Sequence, residues 1–203
     1  VIMPEEPTQF RRLIIPEHLF EICSFAHESA TMAFHLVADR LCGDLELTDQ
    51  PLYLGRSQLT PHKRQIMTRE ALLDEFLHDQ GFRVIHPETL PLEEQIRLIN
   101  LHRIITGPTG SAFHLTFFSR QRPELHLLSN RSFINNYAMS ADFTQSPSVF
   151  AHFAKPDERS VDVPDLPPFD ARPAADYLRR IGLVGNTDCL GPPPEPQCTR
   201  RPA

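Results

Sequence analysis

The sequence predicts an α/β fold, a parallel sheet covered by helices on both faces, and three observations carry that reading. Short apolar runs of four or five residues alternate with segments of helical period along most of the chain. The connections between them are short, as successive strand–helix–strand units require. The run from Pro51 to Gly55 also lacks the apolar–polar alternation of a strand with one wet face, so it is expected to be covered on both sides.

Taken in order, Arg12-Leu13-Ile14-Ile15-Pro16 reads as a short strand closed by proline, which has no N–H to give to a ladder. Phe25 to Leu41 carries Phe25, Met32, Phe34, Leu36, Val37 and Leu41 on a helical period, and Gly43 is its expected stop. Pro51 to Gly55 is the next strand. Thr68 is expected to cap a helix over Arg69 to Gln80, although Ala71 leaves the capping box incomplete, and Gly81 ends that helix. Phe82 to His86 is a strand. Pro91 to Leu101 is a helix with proline in its first turn and a stripe of Leu92, Ile96, Ile99 and Leu101. Arg103 to Thr106 is a strand, the Gly107 to Ser111 turn leads into a helix through Phe118, and Glu124 to Leu128 is another strand. Val149 to Phe153 reads as one more strand and Ala174 to Ile181 as one more helix.

At 203 residues with 40% hydrophobic content, the chain can bury the core of one ordinary domain rather than two. The expected organisation is a leader over 1–11, one domain over 12–185, and a disordered proline-rich tail over 186–203. The Gly191-Pro192-Pro193-Pro194-Glu195-Pro196 run cannot contribute to a core. Because the first residue is Val1 rather than Met, the chain reads as a piece of a longer one.

A net charge of −6 argues against a nucleic-acid surface, which needs a basic face. No apolar run approaches the length of a membrane span and no signal segment opens the chain, so a cytoplasmic location is expected. Cys23, Cys42, Cys189 and Cys198 form no CxxC pair and are expected to be reduced thiols. His27-Glu28-Ser29-Ala30-Thr31 begins like a zincin helix, yet Thr31 stands where the second histidine is required. The chain has no GxSxG elbow, no GxxxxGK[ST] phosphate loop and no GxGxxG fingerprint. It also lacks an Asp-x-Asp at a strand end, which disfavours a metal-bridged diphosphate, and no metal site is expected.

In open parallel sheets, ligands bind beyond the carboxyl ends of the strands. Arg56 follows one strand, Glu88 another, and the Gly107 to Ser111 turn a third, so three strand ends point to one rim. Arg56 and Arg64 are expected to grip two phosphates through their planar guanidinium forks, with Lys63 as an added point charge. Thr109, Gly110 and Ser111 would add hydroxyls and backbone N–H groups at a helix start, which favours an anion. Glu88 suits ribose hydroxyls, while Gln95 and Gly107 would lie on the nucleoside side, Gln95 either orienting the glycine turn or reaching the nucleotide. Each has an ordinary alternative: a solvated arginine, a turn carboxylate, a solubilising glutamine, a helix cap with nothing bound.

The ordered series Leu52-Tyr53-Leu54-Gly55-Arg56, His62-Lys63-Arg64, Gly81-Phe82-Arg83-Val84-Ile85, Glu88, Glu94-Gln95 and Gly107-Pro108-Thr109-Gly110-Ser111 resembles the C-terminal half of the family 61 glycosyltransferases. That group includes bacterial capsular-polysaccharide enzymes and eukaryotic xylosyl- and N-acetylglucosaminyltransferases. The likeness runs from about Leu13 to about Asp142, with its specific part between Tyr53 and Leu128. The chain departs from the family pattern at Thr109, which replaces a histidine, at Thr68-Arg69, which replaces Asn-Glu, and at Leu115, which replaces an amide.

The resemblance implies a Rossmann-like, nucleotide-sugar-binding lobe of a two-lobed GT-B enzyme. It further implies inverting transfer, independence of bound metal, no cofactor beyond the nucleotide-sugar donor, and a glycan acceptor. Peripheral membrane association stays open, and no catalytic base is assigned. Two other readings also stay open: a degenerate, non-catalytic lobe that serves binding or assembly, and an unrelated nucleotide-binding α/β protein.

Overall fold

The computed structural model describes residues 20–21, 24–59, 67–130, 135–153 and 168–192. The strand expected over Arg12 to Pro16, the leader over 1–11, Lys63, Arg64 and the tail beyond residue 192 lie outside the described residues.

The chain opens with an antiparallel pair, β1 (Phe20–Glu21) and β2 (Phe25–Ala26), followed by helix α1 (Glu28–Cys42). Next come β3 (Leu52–Leu54), β4 (Met67–Thr68), α2 (Glu70–Asp79), β5 (Arg83–Ile85), a 3₁₀ turn over Pro87–Thr89, and α3 (Leu92–Leu101). β6 (Ile104–Pro108), a 3₁₀ helix over Ser111–Phe118, β7 (Glu124–Ser129), α4 (Asn135–Thr144) and β8 (Ser148–His152) follow. β9 (Phe169–Asp170), α5 (Ala171–Arg180) and a 3₁₀ turn over Asp188–Leu190 complete the described chain.

Five strands form one parallel sheet in the order β5-β3-β6-β7-β8, as the alternation of strands and helices predicted. The chain steps outward from β3 to β5, crosses back to β6 on the other side of β3, and continues through β7 to β8. The order therefore reverses between β3 and β6, and such a switch point opens a crevice beyond the strand ends. This places Gly55-Arg56 and Gly110-Ser111, which follow those two strands, on opposite sides of one opening.

The pleat sends successive side chains to opposite faces. Leu52 and Leu54 join Ile85, Ile105, Leu125 and Leu127 in one core with Leu98 and Ile99 of α3, Phe113 of the 3₁₀ helix and Tyr137 of α4. Tyr53 and Leu128 join Leu73, Phe76 and Leu77 of α2 and Ala174, Ala175 and Leu178 of α5 in the other. Both faces are thus covered, and each fully buried leucine adds roughly 1.5–3 kcal/mol of transfer free energy.

Four expectations are corrected. Phe25 belongs to β2 rather than to α1, which starts after His27, whose Nδ1 accepts the Ser29 N–H at 3.1 Å. Thr68 does not cap α2, because the parallel pairing of β4 with β9 draws it into a strand. Arg69 takes the cap position in the left-handed region (φ 56) without a side-chain cap bond. The segment Ser111–Phe118 is a 3₁₀ helix rather than an α-helix. Residues 186–192, expected to begin a disordered tail, are folded: Leu190 is buried in the α2–α5 core and Thr187 Oγ1 donates to Asp176 Oδ1 at 2.6 Å.

Candidate functional site

Gly55, Arg56 and Leu59 from the end of β3, Pro87 and Glu88 from the end of β5, Gln95 of α3, and Gly110 to Ala112 with Leu115 from beyond β6 line a cleft of about 300 Å³. That volume stands at the lower end of the about 300–1,000 Å³ typical of ligand pockets. Among the described residues that line it, Arg56 is the cation of this cleft. Its Nη1 donates to the Thr109 carbonyl at 2.9 Å, which carries the guanidinium from the β3 side across to the glycine turn. Gly110 is what admits it, because a Cβ there would collide with that same nitrogen. Glu88 and Ser111 are exposed at the rim, and Ala112, Leu59 and Leu115 supply apolar wall.

The turn delivers less side-chain chemistry than its sequence suggested and more backbone. Thr109 is 5% exposed. Its N–H donates to the Leu128 carbonyl at 2.8 Å and its own carbonyl receives Arg56, so both backbone groups are engaged within the protein. Gly110 is extended, and the first helical bond runs from the Phe113 N–H to the Gly110 carbonyl at 3.1 Å. A helix start of this kind leaves the preceding N–H groups, here those of Ser111 and Ala112, without an intrahelical acceptor.

Gln95 serves the β5 side of the cleft. Its Nε2 donates to the Pro87 carbonyl at 2.7 Å and the Leu90 carbonyl at 2.8 Å, bracing the turn that carries Glu88. Gly107 is buried within β6 at φ 156, and a Cβ there would stand 2.6 Å from the Leu54 carbonyl oxygen. The close approach of β3 and β6 accounts for glycine at this position. The structure thus brings Arg56, Glu88, Gln95, Gly110 and Ser111 to one cleft, puts Thr109 and Gly107 behind it, and leaves Lys63 and Arg64 outside the described residues.

Beneath Gly55 lies a polar cluster that the sequence reading did not single out. Glu70 Oε1 accepts the Arg56 N–H at 2.7 Å, and the Tyr53 hydroxyl lies 3.5 Å from the same oxygen. Ser57 Oγ donates to Asp74 Oδ2 at 2.5 Å, and His86 Nε2 lies 2.9 Å from both Ser57 Oγ and Asp74 Oδ2. Asp74 Oδ1 is buried with no hydrogen-bond partner. Burial pushes the Glu70 carboxyl up to about 7, with Asp74 adding to the rise and the Arg56 N–H, the Arg56 charge and His86 opposing it. Burial likewise pushes the Tyr53 hydroxyl well above its ordinary range, reinforced by Glu70 and Asp74. The one signal for this cluster was the spacing of Glu70 and Asp74, four apart and hence on one helix face, which reads equally as a solvated face.

Among the described residues, no three histidine, cysteine or carboxylate side chains are grouped to hold a metal ion, and no helix is long and apolar enough to cross a membrane. Cys42 and Cys189 are free thiols.

Comparison with known proteins places the chain in a family. Among curated proteins none matches the chain. The model of the family described as Glycosyltransferase 61 matches residues 1–125, a span that contains β3, β5 and β6 and every residue of the cleft. With more than half of the 203 residues matched, the chain belongs to glycosyltransferase family 61, enzymes that move a sugar from a donor to a glycan acceptor.

Proposed function

We propose that the cleft binds the diphosphate of a nucleotide sugar, and that the protein transfers that sugar to a polysaccharide or glycan acceptor with inversion and without a bound metal. The observation that carries this reading is the reach of Arg56 across the switch point to the glycine turn, with Glu88 and the Ser111 helix start on the same cleft. In inverting transfer the acceptor hydroxyl attacks the anomeric carbon opposite the leaving diphosphate, while a general base takes its proton. Negative charge grows on the diphosphate as the bond breaks. Arg56 and the N–H groups of Ser111 and Ala112 would stabilise it, joined by Lys63 and Arg64. Glu88 would accept hydrogen bonds from the ribose, and Gln95 would hold the Glu88 turn in place. On this reading the domain is the donor lobe of a two-lobed GT-B enzyme, active in the cytoplasm on cell-surface polysaccharide, in peripheral contact with membrane machinery.

A second reading is favoured by Thr109. Where the family pattern has a histidine, this chain has a buried threonine whose backbone groups are already engaged, and no ionisable side chain stands there to face a phosphate. This supports a non-catalytic lobe that binds a nucleotide sugar or serves as a scaffold.

Calorimetric titration with UDP, GDP and ADP and the corresponding nucleotide sugars, beside an Arg56→Ala variant, tests the first reading. Loss of a charged hydrogen bond to phosphate predicts at least about tenfold weaker binding by the variant. Equal binding by the two proteins would remove Arg56 from the site. Sugar transfer by the full-length protein separates a catalyst from a binding lobe.

A further inference from the structure

Helix α2 touches the segment that carries Arg56 at two points one helical turn apart. Glu70 Oε1 takes the Arg56 N–H at 2.7 Å, and Asp74 Oδ2 takes the hydroxyl of the next residue, Ser57, at 2.5 Å. Both acids are almost entirely buried, at 7% and 8% exposure. Burying carboxylates is costly unless they are hydrogen-bonded, and apolar side chains would pack the same helix face against β3 at less cost. What these two acids do that leucine would not is accept hydrogen bonds from the loop at the end of β3.

The Ser57, Asp74 and His86 group resembles a nucleophile triad in composition only. Both of its close contacts fall on one ring nitrogen, Nε2, at 2.9 Å from Asp74 Oδ2 and 2.9 Å from Ser57 Oγ. A nucleophile triad needs the two ring nitrogens to serve different partners, one held by the carboxylate and the other facing the hydroxyl. With Nε2 protonated, one arrangement joins all three groups through Asp74 Oδ2: the Ser57 hydroxyl donates to that oxygen, and the imidazole N–H is shared between it and Ser57 Oγ, while Asp74 Oδ1 stays without a partner. The triangle is a fastener. It locks the residue after Arg56, while Glu70 locks Arg56 itself.

Arg56 needs such locking. Its guanidinium must cross from β3 to the Thr109 carbonyl, and a long side chain on a loose loop loses rotamer freedom when it is ordered. Fixing its backbone in advance lowers that cost for any anion it receives. We propose that Glu70 and Asp74 are positioning residues that aim Arg56 at the glycine turn, and thereby set the affinity of the cleft for a diphosphate; this rests on the donor-binding reading above.

Among the described residues, the titratable and charged groups facing Glu70 are Tyr53 of β3, Arg56 after it, Asp74 of α2 and His86 after β5. Because the Glu70 carboxyl titrates at about 7, its strength as an acceptor for the Arg56 N–H grows as pH rises through neutrality.

The test is titration of UDP and GDP into the whole chain at about pH 6 and about pH 8, comparing wild type, Arg56→Ala, Glu70→Ala, Glu70→Gln and the Arg56→Ala/Glu70→Ala double variant. Glu70→Ala is expected to bind about tenfold more weakly than wild type at the higher pH, and the double variant no more weakly than Arg56→Ala alone. Glu70→Gln keeps an acceptor oxygen but does not titrate. It is expected to bind within about threefold of wild type at the higher pH and to lose the extra pH dependence wild type shows over the same range. Additive losses in the double variant, or a Glu70→Ala protein that binds like wild type while Arg56→Ala does not, overturn the positioning role and leave the donor-binding reading standing. Undiminished binding by Arg56→Ala overturns the donor-binding reading itself. Should Glu70→Ala fail to fold, a folded Glu70→Gln with the wild-type pH dependence overturns the proposal.

Discussion

The Arg69 guanidinium grips the Asp170 carboxylate with two hydrogen bonds, Nε to Oδ2 at 2.9 Å and Nη2 to Oδ1 at 2.5 Å, across 101 residues of sequence. The same guanidinium donates from Nη1 to the Leu190 carbonyl at 2.6 Å. Asp170 in turn caps α5 by accepting the Arg172 N–H at 2.9 Å, and receives the Thr68 hydroxyl at 3.1 Å. One left-handed residue at the head of α2 therefore joins β4, β9, α5 and the 190 turn. Burial pushes the Asp170 carboxyl up, but the hydrogen bonds from Arg69, the Arg172 N–H and Thr68 outweigh it and hold the group below its ordinary value.

Arg69→Ala should therefore destabilise the domain by about 2 kcal/mol, between the values for an exposed pair and a fully buried one. The loss should shrink in acid. A depressed carboxylate contributes its stability above its unfolded value and loses it as pH falls through the folded one. Urea unfolding of both proteins at neutral and acid pH measures this, and an unchanged midpoint at neutral pH would remove Arg69 as a fastener.

Gly107→Ala should cost about 3 kcal/mol or prevent folding. The added Cβ would lie 2.6 Å from the Leu54 carbonyl oxygen, and φ is 156, so neither the neighbouring strand nor the local backbone can yield cheaply. Expression yield and thermal melting check this.

Gly110→Ala should behave differently although its clash is tighter. The atom in the way is the end of the flexible Arg56 side chain rather than backbone, and Gly110 is in extended conformation that alanine adopts freely. Stability is expected to change by less than about 1 kcal/mol, while affinity for a nucleoside diphosphate falls with the displacement of Arg56. Melting and calorimetry on one sample separate the two effects, and a variant with full affinity would count against Arg56 as the phosphate ligand.

Glu70 also leaves a mark on stability. Its carboxyl titrates at about 7 in the folded chain against an ordinary 4.5, so over that interval the folded state holds more protons than the unfolded one. Stability must then fall as pH rises through the interval, by about 3 kcal/mol in total. Glu70→Gln removes that component. The stability difference between variant and wild type should grow from about pH 4.5 to about pH 7 and then level off; parallel profiles would mean that Glu70 does not titrate in this range.

The α/β class, the five strands of the parallel sheet and helices α1, α2, α3 and α5 were legible in the sequence, because those signals are local, whereas the two-residue strands β1, β2, β4 and β9 and helix α4 were not. Leu52-Tyr53-Leu54 reads as a doubly covered strand since the pleat sends its side chains to two cores, and Gly43 and Gly81 stop helices because each takes a positive φ. Arg56, Glu88, Gly110 and Ser111 were legible as strand-end residues for the same reason: position along the chain tells which end of a parallel strand a residue follows.

Tertiary structure alone decided the rest. Strand order put the reversal between β3 and β6, so that Arg56 and Gly110 face each other rather than merely share a rim. Pairing of β4 with β9 turned Thr68 from a cap into a strand residue, and insertion of Leu190 beside α2 and α5 folded a segment whose composition reads as tail. Gly107, expected at the ligand, is required by the Leu54 carbonyl, and Glu70, unremarkable on a helix, proves to hold the Arg56 backbone. A sequence pattern records period and backbone preference within a few residues, whereas these contacts join positions from 14 residues apart, as in Arg56 and Glu70, to 121 apart, as in Arg69 and Leu190. Only packing two faces of one sheet at once determines which of those positions meet.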